Sequence, residues 1–321
     1  MKKKLKFNQT NKAEKDEQNI ENNNVKNVDE TKTSLTQRIR SIFKYPFKFS
    51  VIDLAISGLL IALFTIVSSI LKLTGLSNFT SAEIVFYILF GILLGPFKGA
   101  LLALIADTLG LLILGNIGTW YYLYAIWPPI IAFISAWYFA LFKSSKIFKI
   151  ILPIVVIIAS AAIMTFVFAK YVTRTETGHI AIGVKMSKSN IAYWESIPWI
   201  IVVLGLSFYL LAMLIAIIFV VISYVKGKNE KLLDYLLILG LITLIILIYK
   251  WIFGPIIFVK YLSYINKKSY ILKERYLLYF VPIVIKSMFN IPFYTLILGS
   301  LYGVINYVLE KHINNRNKVS Y

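Results

Sequence analysis

From residue 50 onward, apolar residues do not alternate with polar ones but run together in blocks separated by short polar stretches. A block of about 20 residues, rising ~1.5 Å each as a helix, crosses a hydrocarbon core of ~30 Å. Eight blocks are legible, at about 50–73, 82–94, 97–115, 119–142, 148–171, 197–225, 231–258 and 277–308, and the second is short. Lipid offers no hydrogen-bond partner to an open strand edge, so each block is expected to be helical. The pattern predicts an all-α integral membrane protein, a polytopic bundle of about eight transmembrane helices.

The first 46 residues break this pattern. They are mostly Lys, Asn, Glu, Asp and Thr, a composition that cannot repay its ordering entropy, so 1–46 reads as a disordered basic cytoplasmic tail and 47–321 as the membrane domain. At the end of the tail, RIRSIFKYPFKF sets Arg38, Arg40, Lys44 and Lys48 among Ile and Phe with no acid. That mixture suits an anionic inner leaflet better than nucleic acid. The blocks within 197–258 are nearly featureless Leu, Ile and Val, and read as a helix pair inserted beside a six-helix core.

Composition agrees, with 59% hydrophobic residues and a mean hydropathy of +0.75, far too apolar for one soluble core. The net charge of +19 is placed by topology. The short connections KSSKIFK (143–149), KGKNEK (226–231) and KHINNRNK (311–318) are basic, whereas LTGLSNFTS (73–81) and GNIGT (115–119) are neutral. Basic short loops stay inside, so an even helix number puts both termini in the cytoplasm of a multi-pass cell-membrane protein. The longer loops 172–196 and 259–276 then face outward despite their lysines, and long loops follow the rule poorly.

Several chemistries are excluded. The chain has no cysteine, and its histidines, His179 and His312, lie far apart, so no metal or thiolate cofactor is expected. No G-x-x-x-x-G-K-[ST], H-E-x-x-H or G-x-S-x-G occurs, so neither ATP hydrolysis nor another catalytic activity is expected of this chain alone.

What remains is polar residues at membrane depth, where each charge costs ~2.5 to 3.5 kcal/mol on insertion scales. Asp107 and Lys286 lie at similar expected depths, ~12 to 13 Å below the outer ends of their helices. Two readings fit: an ion pair that fixes packing, or two walls of a ligand cavity. Asn290, one turn beyond Lys286, and Asn116 extend a polar pocket in the second reading. Trp120, Tyr121, Tyr122, Tyr124 and Trp127 at the start of the fourth block form either an interfacial belt or a stacking wall for a flat ligand. On the first helix, Gly58 and Ala62 make a small face for close approach, internal or with a partner.

The stretch GPFKGALLALIADTLG, its Gly-containing turn and the aromatic helix start resemble the substrate-binding S component of energy-coupling factor (ECF) vitamin transporters, over about 50–172 and 277–308. The last helix, VPIVIKSMFNIPFYTLI, is similar to the folate branch in its basic residue and later proline, Lys286 and Pro292. The chain departs from that family in its tail, its inserted pair and its GNIGTWYY turn. The resemblance implies a subunit without its own ATPase that captures a small water-soluble vitamin, with folate-like ligands favoured. It also implies docking through Gly58 and Ala62 on a transmembrane coupling subunit that carries two ATP-binding subunits. Riboflavin or another vitamin, a secondary transporter and a lipid-modifying enzyme are the alternatives.

The topology is directly testable in this cysteine-free chain. Single cysteines at residues 20 and 228 should resist an impermeant thiol reagent added outside intact cells, and one at 185 should react; outside labelling at 20 or 228 would overturn the scheme.

Overall fold

The first membrane helix starts at Ser50, whose hydroxyl accepts the Asp53 amide at 3.1 Å while the Asp53 carboxylate accepts the Ser50 amide at 2.9 Å. This reciprocal box satisfies amides that hydrocarbon would leave stranded. The computed structural model describes residues 47, 49–76, 80, 82–142, 146–182, 192–226 and 230–318. By contacts the chain divides into Met1–Lys48 and Phe49–Tyr321. The expected tail 1–46 lies outside the described residues, and the helical bundle belongs to the second unit.

Helix α1 (Val51–Leu73) is apolar all round and touches the bundle along one stripe, Asp53, Ser57, Leu60 and Phe64. The next two helices, α2 (Glu83–Leu94) and α3 (Pro96–Ile113), form a hairpin around Gly95. Gly95 has φ +85°, a conformation open to glycine, and Pro96 takes the first helical position, where its missing amide costs nothing. The hairpin closes tightly because Gly99 lies against α2: a Cβ there would come within 2.5 Å of the Phe90 carbonyl oxygen. Gly91 presses in the same way on the Ala132 backbone of the fifth helix.

A 3₁₀ turn (Ile117–Thr119), the single turn α4 (Tyr122–Ala125) and α5 (Trp127–Phe142) replace the expected continuous helix over 119–142. Pro128 and Pro129 explain the break, since neither can return an amide to Tyr124 or Ala125. After α6 (Lys146–Tyr171), the expected loop 172–196 contains an antiparallel sheet, β1 (Val172–Arg174), β2 (His179–Ile182) and β3 (Ala192–Pro198), in that order. Val172 pairs with Ile182 and Ile182 with Ala192, so this stretch satisfies its own backbone groups.

Helix α7 (Trp199–Val225) leads to a longer run in which α8 (Glu230–Ile245) passes through a π-helical stretch (Ile246–Phe253) into α9 (Gly254–Ile265). Pro255 cannot donate to the Trp251 carbonyl one turn before it, and the Tyr276 hydroxyl donates there instead at 3.0 Å. The run continues to Ile265, so the expected loop 259–276 shrinks to 266–271 and Lys260 is helical. The chain ends in α10 (Leu272–Lys318), which holds Pro282 and Pro292 inside it.

Seven helical runs among the described residues are long and apolar enough to cross a membrane, and the twelve-residue α2 is the short exception. The eight expected blocks thus correspond, among the described residues, to seven helical runs long enough to cross and one shorter helix. The block pair within 197–258 is not uniform. The apolar window of α7 is 22% buried, that of the α8–α9 run 61%. The second member is thus central to the bundle, packed on α6 where Gly240 meets Pro153.

The two ends of the bundle are fixed by side chains. Lys72 donates to the Leu114 carbonyl at 2.8 Å, and Tyr121 packs on Tyr261 and Tyr264, which gathers the ends of α1, α3 and α9 at an aromatic end. Asp53 and Lys98 join the starts of α1 and α3 at the opposite, Gly95 end.

Close backbone approach gives a prediction. Gly91→Leu and Gly99→Leu should each lower thermal stability by about 1–3 kcal/mol or more, because the obstructing atoms are backbone. Gly58→Leu, whose added Cβ meets nothing within 4 Å, should melt like the parent. Detergent-solubilised protein followed by thermal unfolding reads both.

Candidate functional site

Twelve helical residues rise ~18 Å, well short of a ~30 Å core. Because α2 starts its hairpin at the Gly95 end, its other terminus stops part-way through the membrane, and the residue at that terminus is Glu83. Glu83 and Asp107 are each twelve residues from Gly95, so the hairpin sets two carboxylates at one depth. The next seven residues of α2, Ile84 to Phe90, are buried, whereas Glu83 is exposed.

The surrounding elements turn polar groups towards this level. Tyr87, one turn along α2 from Glu83, donates its hydroxyl to Asp107 Oδ1 at 2.6 Å. Lys250 and Asp107 lie close enough to Glu83 for their charges to act on it. Tyr249 is in the same field, within electrostatic reach of Glu83, Asp107, Tyr124 and Tyr294. Lys250 in turn acts on Lys286. Trp127 closes one side, with its ring 5.1 Å from Tyr249 and 4.7 Å from Phe253. On the other, Tyr294 shares a 3.3 Å hydrogen bond with Thr80. The constellation is two carboxylates, two ammonium groups and several phenols near mid-membrane. Lys250 sits at the centre of the Leu233–Ile265 span, and Lys286 eleven residues into Arg275–Val308.

The π-helical stretch makes this possible. Widening a turn shifts the residues after it around the helix axis, and such stretches recur at functional sites. Here it carries Tyr249, Lys250 and Trp251 together, with Trp251 buried and its indole N–H donating to Ser287 Oγ at 2.9 Å. Ser287 adjoins Lys286, so this bond ties the two lysine-bearing helices at the level of the site.

The expected site residues fall into three groups. Asp107, Lys286 and Tyr124 belong to the constellation, although Asp107 is met by Tyr87 and the link towards Lys286 runs through Glu83 and Lys250. Tyr121 is buried in a second aromatic layer with Tyr122, Tyr261 and Tyr264, nearer the aromatic end. Trp120 is exposed at the rim, as an interfacial belt residue would be. Asn116 lies in the turn after Gly115, its carbonyl accepting from Thr119, and Asn290 is half-buried one turn beyond Lys286. Gly58 and Ala62 are exposed on the outer face of α1.

Two pairs are not among the expected site residues. Glu83 opens its block and reads as an interfacial charge until the shortness of the block is converted into depth. Lys250 is a lone lysine inside an apolar run, a visible signal masked by the featureless Leu and Ile around it. The second pair is Asp53 and Lys98, joined at 2.6 Å with side chains only 2% and 6% exposed. The Lys98 ammonium also lies 5.5 Å from the Phe49 ring centroid. Both residues sit near block ends, where charges ordinarily face water. Among the described residues no three of His, Asp and Glu gather to hold a metal ion.

The buried Asp53–Lys98 bridge has a clear signature. Asp53→Asn or Lys98→Met alone should cost about 3–5 kcal/mol by leaving one charge uncompensated. The double variant should recover most of that loss in a thermal unfolding assay. Comparison of the chain with protein-family models, with curated proteins and with solved structures found no match, so the reading of the site rests on its own residues.

Proposed function

We propose that this protein is the substrate-binding subunit of an ECF-type vitamin uptake transporter. It captures a small water-soluble vitamin, folate-like ligands favoured, from the outer face and delivers it with a separate module of a transmembrane coupling subunit and two ATP-binding subunits. The observation that carries the reading is the short α2, whose free end sets Glu83 within electrostatic reach of Asp107 and Lys250, with Lys286 in turn within reach of Lys250. Charges at that depth are costly and are retained where they meet a solute or one another. Phenol and indole rings beside them offer contact area to a flat ligand.

Two further features support it. The sequence has no phosphate-binding loop, which agrees with a subunit whose ATP hydrolysis is supplied by another chain. Along α1, Gly58 and Ala62 remain uncovered by the bundle, as a face reserved for another helix would be. In this reading both termini are cytoplasmic and the aromatic end faces outward.

Uptake of labelled folate by cells expressing this chain should require co-expression of an ECF module, while the purified chain alone retains the vitamin. Uptake at an equal rate without any module would overturn the proposal in favour of a secondary transporter. Asp107→Asn and Lys286→Met should each weaken vitamin binding by roughly ten- to a hundredfold, the loss of one charge-assisted hydrogen bond. Gly58→Leu and Ala62→Leu should bind normally yet fail in uptake.

A further inference from the structure

The corner between α9 and α10, at the aromatic end, carries more positive charge than its length accounts for. A connection of six residues, 266–271, is short enough for lysines to favour the cytoplasm, yet the orientation proposed above turns it outward. Across 260–275 the sequence sets Lys260, Lys267, Lys268, Lys273 and Arg275 against one acid, Glu274. The four lysines are exposed, and none makes a hydrogen bond or ion pair with another described residue. The corner is also held in shape. Ser263 Oγ accepts the Tyr270 amide at 3.3 Å, and the Asn266 side-chain amide donates to the Tyr270 hydroxyl at 3.2 Å. The Arg275 guanidinium carbon lies 3.9 Å from the centre of the Tyr270 ring, so Tyr270 fixes that charge beside the turn bearing Lys267 and Lys268. Lys267 has φ +49°, the one positive φ outside glycine among the described residues, and a lysine held there is strained.

The neighbouring side chains indicate the partner. Tyr264, Ile265, Ile271 and Leu272 are exposed around the cations. Apolar and cationic side chains mixed in this way belong at the boundary between acyl chains and headgroups, whereas a corner that met only a water-borne anion would gain nothing from bare Ile and Leu. We infer that the α9–α10 corner binds an anionic phospholipid of the leaflet bordering the aromatic end. The headgroup phosphate sits among Lys267, Lys268 and Arg275, with the guanidinium able to offer paired N–H donors and the lysines point charges. The acyl chains lie against Ile265, Ile271 and Leu272. Occupancy steadies the bundle as well, because Tyr276, next to Arg275, is the side chain that donates to the Trp251 carbonyl in the π-helical stretch. The inference rests on the corner itself and holds whichever solute the protein carries.

The test uses the full chain in a neutral detergent, titrated with phosphatidylglycerol or with phosphatidylcholine of the same acyl chains, and bound lipid counted by native mass spectrometry. Phosphatidylglycerol should bind at least about tenfold more tightly. The Lys267→Gln, Lys268→Gln double variant and Arg275→Gln should each weaken phosphatidylglycerol by roughly five- to tenfold and leave phosphatidylcholine unchanged. Lys170→Gln, which removes another exposed lysine from the same end, should bind both lipids like the parent. Lys267→Gly separates binding from folding: glycine relieves the strained φ, so this variant should melt no lower than the parent and still lose affinity for phosphatidylglycerol. Equal affinity of the unaltered chain for the two lipids overturns the inference. So does a preference for phosphatidylglycerol that survives in the double variant and in Arg275→Gln, or one that Lys170→Gln lowers as much as they do, since the charge would then be diffuse. Displacement of phosphatidylglycerol by an equal concentration of inorganic phosphate overturns it too, in favour of a free anion. If one variant fails to fold, the other and the lipid comparison on the unaltered chain still decide.

Discussion

Hydrocarbon solvates neither an amide without a partner nor an uncompensated charge, and most of this structure follows from how each polar group answers that constraint. Asp53 answers it three times over, accepting from the Ser50 amide, pairing with Lys98, and offering its carbonyl to the Ser57 hydroxyl at 2.6 Å. Asp107 takes the Tyr87 hydroxyl. Where prolines remove backbone donors, the freed carbonyls are met from elsewhere, as Tyr276 meets Trp251. Glu83 and Lys250 meet the constraint differently, through charges that act on one another at a distance, and charges at membrane depth are where function concentrates.

That difference has a mechanical origin. A longer helix in place of α2 would carry Glu83 away from the level of Asp107. Instead, Gly95, Pro96, Gly91 and Gly99 build a short hairpin so tightly packed that its free end is held at a fixed depth. The π-helical stretch opposite performs the complementary task, rotating Tyr249 and Lys250 to that level while Pro255 and Tyr276 stabilise the distortion. Neither device alone makes a site.

The same packing explains the division of labour among the helices. The α8–α9 run, α2, α3 and α10 carry the polar constellation, whereas α1 and α7 expose long apolar faces to the surroundings. Because α1 touches its neighbours by one stripe and is fastened mainly at its two ends, by Asp53–Lys98 and by Lys72 on the Leu114 carbonyl, its outer face is free for lipid or a partner helix.

Length and hydropathy are enough to establish a helical membrane domain and to place its blocks, because a bilayer imposes one length scale and one backbone solution on any chain that crosses it. Asp107 and Lys286 are legible for the same reason: a charge inside an apolar block declares itself. The small sheet over 172–198 is not legible, since strands of three to seven residues carry too few positions for a periodic signal. The break before Trp127 is hidden too, because its two prolines fall inside an apolar, aromatic block that is otherwise long enough to span. The partners of each charge were decided only by tertiary structure. That Asp107 meets Tyr87, that Lys98 meets Asp53 forty-five positions away, and that Glu83 comes within electrostatic reach of Lys250 depend on which helices are neighbours and how each is rotated. Hydrophobic blocks this uniform leave rotation unspecified, because lipid accepts every face of such a helix equally; glycine contacts, prolines and a π turn choose it.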